Sequence, residues 1–274
     1  MTIQTRNRKK IETNILYEGD CLEVMKSLPD KSIDCILTSP PYWNTFWEKY
    51  STDPAMVSIE PDITSYLSHL ISICKECYRV LRDTGVFWVL IGEPNLRNGK
   101  RRSNLSGIPW KLAFSLQDNG WILRSDTIAK LHFDPAKYDL EKAKFDLDDD
   151  RPWCTHHYVF MFTKKLNHYW DGNRYPHSGD VWDISPVNSV EGFTFETSAP
   201  DLVKTCICCG CPPEGTVLDP FCGSGTSCIV ANCEQRKFIG VELVHETAVK
   251  AFKRISSYAE NARFCVFDYR GVYL

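Results

Sequence analysis

The chain has 274 residues, 43% of them apolar and 24% charged, with a formal net charge of −3. That length and apolar share can fill the core of one large α/β domain or two small ones, and no stretch approaches the roughly 18 uninterrupted apolar residues of a membrane span. The opening MTIQTRNRKKIETN is polar and basic rather than a secretory signal, which predicts a cytoplasmic protein with no membrane partner, and the charge balance provides no overall basic field for nucleic acid.

Residues 1–13 read as a basic arm, with Arg6 to Lys10 as its charge cluster. From Asn14 onward short apolar runs alternate with amphipathic stretches, the pattern of a parallel sheet with helices on both faces. Asn14 to Tyr17 predicts a strand ended by Gly19-Asp20, Cys21 to Leu28 a helix, and Ile33 to Leu37 a strand stopping at Thr38-Ser39-Pro40-Pro41. Ile63 to Leu81 places Leu67, Leu70, Ile71, Cys74, Cys77, Tyr78 and Leu81 on one helical face, with Gly85 expected as the cap that closes it. Val86 to Ile91 predicts a fully buried strand. A second basic cluster, Arg97 to Arg102, precedes a helix from Pro109 to Asp118 and strands at Trp121 to Ile128 and His157 to Phe162. Between those strands, 133–153 is a polar insertion containing the acidic run Asp146 to Asp150.

Periodicity dissolves over 166–195, where Tyr169, Trp170, Tyr175, Trp182, Phe193 and Phe195 stand near Lys164, Lys165 and Arg174; this composition suits a segment that reads a partner, with a packed loop as the alternative. Order returns with a helix from Ala199 to Cys209, a strand from Thr216 to Leu218, a helix from Thr226 to Cys233, a strand from Lys237 to Val241 and a helix from Glu246 to Tyr258. Residues 14–165 and 196–262 are thus two halves of one domain, followed by a tail at 263–274 that can be a last strand but that the pattern does not place. Thirteen cysteines fall inside these elements rather than at regular loop spacings, so they read as reduced thiols. Cys206, Cys208, Cys209 and Cys211 crowd one helix with no second ligand cluster at a structural-site spacing, and read as core thiols rather than a metal site.

Two motifs carry chemistry. In VLDPFCGSGT a strand delivers Asp219 at its carboxyl end, then Gly223 and Gly225 let the backbone turn tightly and approach a ligand before a helix begins at Thr226. About twenty residues on, Glu242 ends the next strand, where a carboxylate can take both hydroxyls of a ribose. There is no Gly-Lys-Ser/Thr ending and no third glycine of the dinucleotide fingerprint, so the expected cofactor carries an adenosine without a phosphate chain. The second motif, TSPPYW, follows a buried strand directly. Pro40 and Pro41 fix φ and lack N–H groups, which makes fixed acceptors of the Ser39 side chain and the Pro40 carbonyl. Such acceptors can hold both hydrogens of a planar amine and present its nitrogen lone pair in one direction.

TSPPYW early, VLDPFCGSGT late and FIGVEL after it resemble the β group of amino-methylating DNA methyltransferases. YEGDCLEVMKSLPDKSIDCIL, DRPWCTHHYVFMFTK, GDVWDI and CCGCPPEGTVLDPF are similar to the same pattern, from Ile15 to about Ile255. The resemblance implies a Rossmann-like methyltransferase fold, circularly permuted, with a seven-stranded, mostly parallel sheet and a small target-recognition segment. It implies S-adenosylmethionine as cofactor, with Asp20 at the adenine, Glu242 at the ribose, and Asp219, Phe221, Gly223, Ser224, Gly225 and Thr226 around the methionine part. Ser39, Pro40, Pro41 and Tyr42 become the catalytic turn, with a base flipped out of double-stranded DNA and stacked on Tyr42. Extracting a base costs a few kcal/mol and one aromatic stack returns roughly 1–3 kcal/mol, so the stack and the amine hydrogen bonds together about balance the loss.

Ser39, rather than Asp or Asn, at the head of the turn resembles N4-cytosine enzymes and implies the modification enzyme of a restriction-modification system. An N6-adenine enzyme is the alternative, an RNA or protein-amide methyltransferase a more distant one, and a non-catalytic DNA or adenosine binder a rival from another class. A cognate restriction endonuclease and a homodimer stay open. One departure from the family's pattern is FETSAPDL, where relatives often have a His and an aromatic ahead of the proline; Ser198 to Asp201 are still expected to flank the cofactor.

Overall fold

The computed structural model describes residues 11–43, 55–94, 97–98, 101–102, 104–131, 154–176, 179–184 and 199–267. The Arg6 to Lys10 cluster, the insertion at 133–153 with its acidic run, Phe193, Phe195 and Ser198 lie outside them. In chain order the elements are β1 (Ile15–Glu18), α1 (Cys21–Ser27), β2 (Ile33–Thr38), α2 (Ile63–Val80), β3 (Leu81–Ile91), β4 (Arg97–Asn98), β5 (Arg101–Arg102), α3 (Ile108–Asp118), β6 (Ile122–Leu131) and β7 (His156–Thr163). They continue with a 3₁₀ turn (Gly172–Arg174), β8 (Val181–Ile184), α4 (Pro200–Gly210), β9 (Thr216–Asp219), α5 (Thr226–Cys233), β10 (Lys237–Glu242), α6 (His245–Ser256) and β11 (Arg263–Val266).

Nine strands form one sheet in the order β11-β1-β10-β9-β2-β3-β7-β6-β8, in which β7 alone runs against its neighbours, while β4 and β5 pair separately as a small hairpin. β9 and β10, from the last quarter of the chain, are inserted between β1 and β2, which are consecutive in sequence. The inserted pair is held by parallel registers on both sides, Cys35↔Val217 and Ile36↔Leu218 to β2, and Leu16↔Gly240 and Glu18↔Glu242 to β1. This is the permuted arrangement. The sheet has two strands more than the seven expected, and both extra strands are edges: β11 beside β1, and β8 beside β6.

β3 shows why the sheet is covered on both faces. Phe87, Val89 and Ile91 join the core under α1, α2 and α3, whereas Val86, Trp88 and Leu90 join the core under α4, α5 and α6. Alternation along the apolar run Val86 to Ile91 of β3 thus feeds two layers.

Gly85 is not a helix cap. α2 ends at Val80, and the Leu81 amide closes it onto the Cys77 carbonyl as the chain passes straight into β3. Gly85 lies within that strand, where a Cβ would stand 2.9 Å from the Asp34 carbonyl oxygen and 2.5 Å from the Leu81 Cδ1 atom. A side chain there would push β3 away from β2, so close approach, not helix termination, requires the glycine.

All thirteen cysteines are free thiols, buried except for Cys154 and Cys233, and no group of residues suited to a metal ion occurs among the described residues. Aromatics of 169–182 form a chain that runs from the core to the surface and back: Trp88, exposed Trp170, half-buried Tyr175 and core Trp182 follow one another at centroid distances of 6.4, 5.6 and 5.8 Å. Trp182 is buried and donates its indole N–H to the Tyr175 hydroxyl at 2.8 Å. Lys164 is also spoken for, donating to the Leu81 carbonyl at 2.7 Å.

Candidate active site

Reading along the carboxyl edge of the sheet, β1 leads to Asp20, β10 to Glu242, β9 to Asp219, and β2 to Ser39. Strands lie about 4.8 Å apart, so these three carboxylates and the diproline turn span about 15 Å in one row.

The glycine loop connects β9 to α5. Gly223 (φ 53°) and Gly225 (φ 82°) both take the left-handed conformation that side chains disfavour, and at Gly225 a Cβ would also stand 2.8 Å from Ile255. α5 then starts at Thr226 with no side-chain cap, so its first amides remain available to a negatively charged group such as an amino-acid carboxylate. Glu242 accepts the Gly223 amide on one carboxylate oxygen at 3.0 Å and the Val244 amide on the other at 2.9 Å. Each oxygen keeps a second lone pair, which is what two vicinal hydroxyls need. Protein packed around this carboxyl pushes its pKa up to about 7, against the lowering effect of the Val244, Gly223 and Leu243 amides.

Asp219 faces inward. It is buried, accepts the Thr38 hydroxyl at 2.8 Å and the Phe221 amide at 3.1 Å, and takes a short hydrogen bond from Ser227. Burial raises its pKa to about 6, opposed by those donors. It therefore ties the end of β2, the loop and the first turn of α5 together. The Ser224 and Thr226 side chains are buried as well, and Arg254 of α6 grips the loop from behind, donating to the Ser224 carbonyl at 2.8 Å and the Thr226 hydroxyl at 3.0 Å. The loop thus offers its main chain, rather than these hydroxyls, to a ligand. Asp20 caps α1 by accepting the Leu22 amide at 2.9 Å; partial burial raises its pKa and the same amide opposes the rise. The preceding Gly19 donates to the Glu242 carbonyl at 2.9 Å, which sets Asp20 and Glu242 side by side. These groups fit an adenosine with an amino-acid tail.

The diproline turn is equally constrained. Tyr66, buried in α2, donates its hydroxyl to the Pro41 carbonyl at 2.8 Å, and the Trp43 indole donates to the Glu60 carbonyl at 2.9 Å. Between those fixings the Ser39 side chain and the Pro40 carbonyl accept no donor among the described residues. Thr38 and Pro40 share a narrow apolar cavity with Pro220 and Phe221 of the glycine loop, floored by Leu70, Ile73, Cys74 and Cys77 of α2. The two motifs, 181 residues apart at Thr38 and Asp219, therefore meet in one place. Beyond the turn, the Tyr42 hydroxyl reaches His157 on β7, 3.4 Å from Nε2 and 3.5 Å from Nδ1.

Thr38, Tyr66, Ser227 and Arg254 were not expected from sequence. Thr38 directly precedes the turn and Ser227 directly follows the loop, so adjacency to a motif was a usable signal for both. Nothing local marks Tyr66 or Arg254, whose roles depend on which helix packs behind which loop.

Residues 33–253 match the model of the DNA methylase family of N6 and N4 type. The chain is 33% identical over 273 residues to the Type II methyltransferase M.Cfr9I of Citrobacter freundii, covering 88% of this chain and 87% of that one. It is 26% identical over 258 residues to the DNA adenine methyltransferase YhdJ of Escherichia coli (strain K12), covering 89% and 83%. Among solved structures, the cytosine-N4-specific PvuII DNA methyltransferase superposes with a TM-score of 0.70 at 20% identity, over 92% of this chain and 97% of that one. The chain belongs to the N6/N4 DNA methylase family. It is accordingly a DNA methyltransferase of the amino type whose methyl donor is S-adenosylmethionine.

Proposed function

We propose that the chain methylates the N4 amine of a cytosine flipped out of duplex DNA at a specific site, as the modification enzyme of a restriction-modification system. The observation that carries this reading is the Thr38 to Asp219 hydrogen bond, which ties the residue before Ser39 to the strand end from which the glycine loop springs. Ser39 at the head of the turn favours cytosine, in keeping with the N4-specific PvuII enzyme of the same fold, and the Type II relative favours a modification role. The adenine enzyme YhdJ is the observation behind the alternative, N6-adenine methylation.

In this mechanism Glu242 holds the ribose hydroxyls, Asp20 lies at the adenine, and the loop amides with the first turn of α5 hold the amino-acid end. Bound there, S-adenosylmethionine supplies an electrophilic methyl group. The protein's own contribution is to the acceptor. Ser39 and the Pro40 carbonyl hold the two amine hydrogens, which draws the nitrogen lone pair out of conjugation with the ring and aims it at the glycine loop. Tyr42 stacks on the extracted base. Since Tyr66 pins the Pro41 carbonyl, the acceptors are in place before DNA arrives. We assign 14–165 as the catalytic half, 196–262 as the cofactor half, 166–195 as the segment that selects the site, and the arm at 1–13 to the DNA backbone.

The test is transfer of label from methyl-labelled cofactor to unmethylated duplex DNA, followed by nuclease digestion and mass spectrometry. N4-methylcytosine is expected. N6-methyladenine alone would replace the base assignment by its alternative, and label in RNA or protein with none in DNA would defeat the proposal.

A further inference from the structure

His157, Gly92 and Tyr42 come from three separate parts of the chain and meet at the edge of the sheet beside the diproline turn. β3 and β7 pair through Ile91↔Tyr158, and Gly92 and His157 are the next residues along that antiparallel ladder. A Cβ on Gly92 would lie 2.5 Å from His157 Cδ2 and 3.2 Å from the Tyr42 hydroxyl, so the missing side chain is what admits both groups. Within the gap the Tyr42 and His157 rings stand edge to face, with centroids 5.9 Å apart at 83°. The hydroxyl is nearly equidistant from the two imidazole nitrogens, 3.4 Å from Nε2 and 3.5 Å from Nδ1.

The turn fixes the Tyr42 backbone, through Pro40, Pro41 and the Tyr66 bond to the Pro41 carbonyl. The ring itself has several staggered positions about its Cα–Cβ bond, so its orientation is set by what the side chain touches. A stacking platform works only in the orientation that lays its face against the base; here the ring packs against the core beside the turn and its hydroxyl meets His157. We propose that His157 is a positioning residue that holds the Tyr42 ring in its stacking orientation, and that Gly92 is the gap through which it does so. This rests on the reading of Tyr42 as the base-stacking residue.

The experiment measures single-turnover methyl transfer to unmethylated plasmid DNA, with cofactor affinity measured separately by calorimetry. Tyr42→Phe and His157→Ala should each slow transfer about tenfold while cofactor affinity and melting temperature stay unchanged. The double variant should be no slower than either single one, because both remove the same contact. His157→Asn, which keeps a polar group in the gap, should recover part of the rate, and Gly92→Ala should reproduce the His157→Ala defect. Additive losses in the double variant, or a Tyr42→Phe enzyme as fast as the parent, would overturn the proposal. Tyr42→Ala separates this from the reading beneath it: if that variant transfers normally, Tyr42 does not stack on the base. If it is inactive while His157→Ala is unimpaired, only the role of His157 falls.

Discussion

Glu242 illustrates how one residue can be poised rather than merely present. Each of its oxygens already holds one backbone amide and has one lone pair left, and burial keeps its pKa near 7, above its ordinary value of 4.5. Ribose hydroxyls donate best to the ionised form, so binding must favour loss of the proton. Affinity for S-adenosylmethionine should therefore tighten as pH rises toward about 7 and level off above it, by up to about tenfold per unit in the rising part. Glu242→Gln should bind more weakly at pH 8 and show a flat profile, as measured by calorimetry; parallel profiles for the two proteins would contradict the assignment. The stability effect has the opposite sense. A carboxyl whose pKa is raised by folding stabilises the fold while protonated, so the cofactor-free protein should lose stability between about pH 4.5 and 7, and Glu242→Gln should gain on it in melting temperature across that window. The position of Glu242 was readable from its spacing after the glycine loop, whereas its two amide partners were not, because they exist only once the loop has curled back over the strand end.

At the scale of elements, packing overrides local propensity where α4 meets β3. Gly210 ends α4, and a Cβ there would stand 2.6 Å from the Trp88 indole nitrogen and 3.3 Å from Val86. Alanine is the better helix former by up to about 1 kcal/mol, but at the last residue of a helix little of that is realised, and forcing an extra carbon into this contact costs about 1–3 kcal/mol. Gly210→Ala should be destabilising in denaturant melts, and Trp88→Ala should cost about 3–5 kcal/mol by emptying the same layer. An unchanged midpoint for Gly210→Ala would show that α4 can slide outward freely. The apolar runs and helical faces of these elements were legible because period alone distinguishes them. Gly85 was misread for a related reason: a glycine past an amphipathic stretch signals a helix end, and only the pairing of β2 with β3 reveals that this one permits two backbones to approach. Likewise 166–195 read as patternless because β8 is only four residues long and its aromatics pack across a loop rather than along a strand.

The molecule as a whole depends on inserting β9 and β10 between β1 and β2. The order of motifs in the sequence made that permutation readable, since a strand ending at an aspartate, a glycine loop and a strand ending at a glutamate arrive last rather than first. The extra edge strand β8 was not readable, and β11 was readable only as a tail that could be a last strand with no place in the sheet, because short edge strands leave little periodic trace. What joins the two halves at the site is Thr38 on Asp219, a buried hydrogen bond to a carboxyl that also anchors the loop and α5. Thr38→Val keeps the shape and removes the donor, and should cost about 2 kcal/mol of stability and slow methyl transfer about tenfold or more, with Thr38→Ser restoring both. A Thr38→Val protein as active as the parent would mean that backbone pairing alone sets the alignment. The most direct measurement of the shared site is single-turnover methyl transfer by Ser39→Ala alongside its cofactor affinity. Transfer should fall about a hundredfold or more with affinity unchanged; undiminished transfer, or loss of cofactor binding in step with activity, would contradict a turn that holds the acceptor beside a cofactor held by other residues.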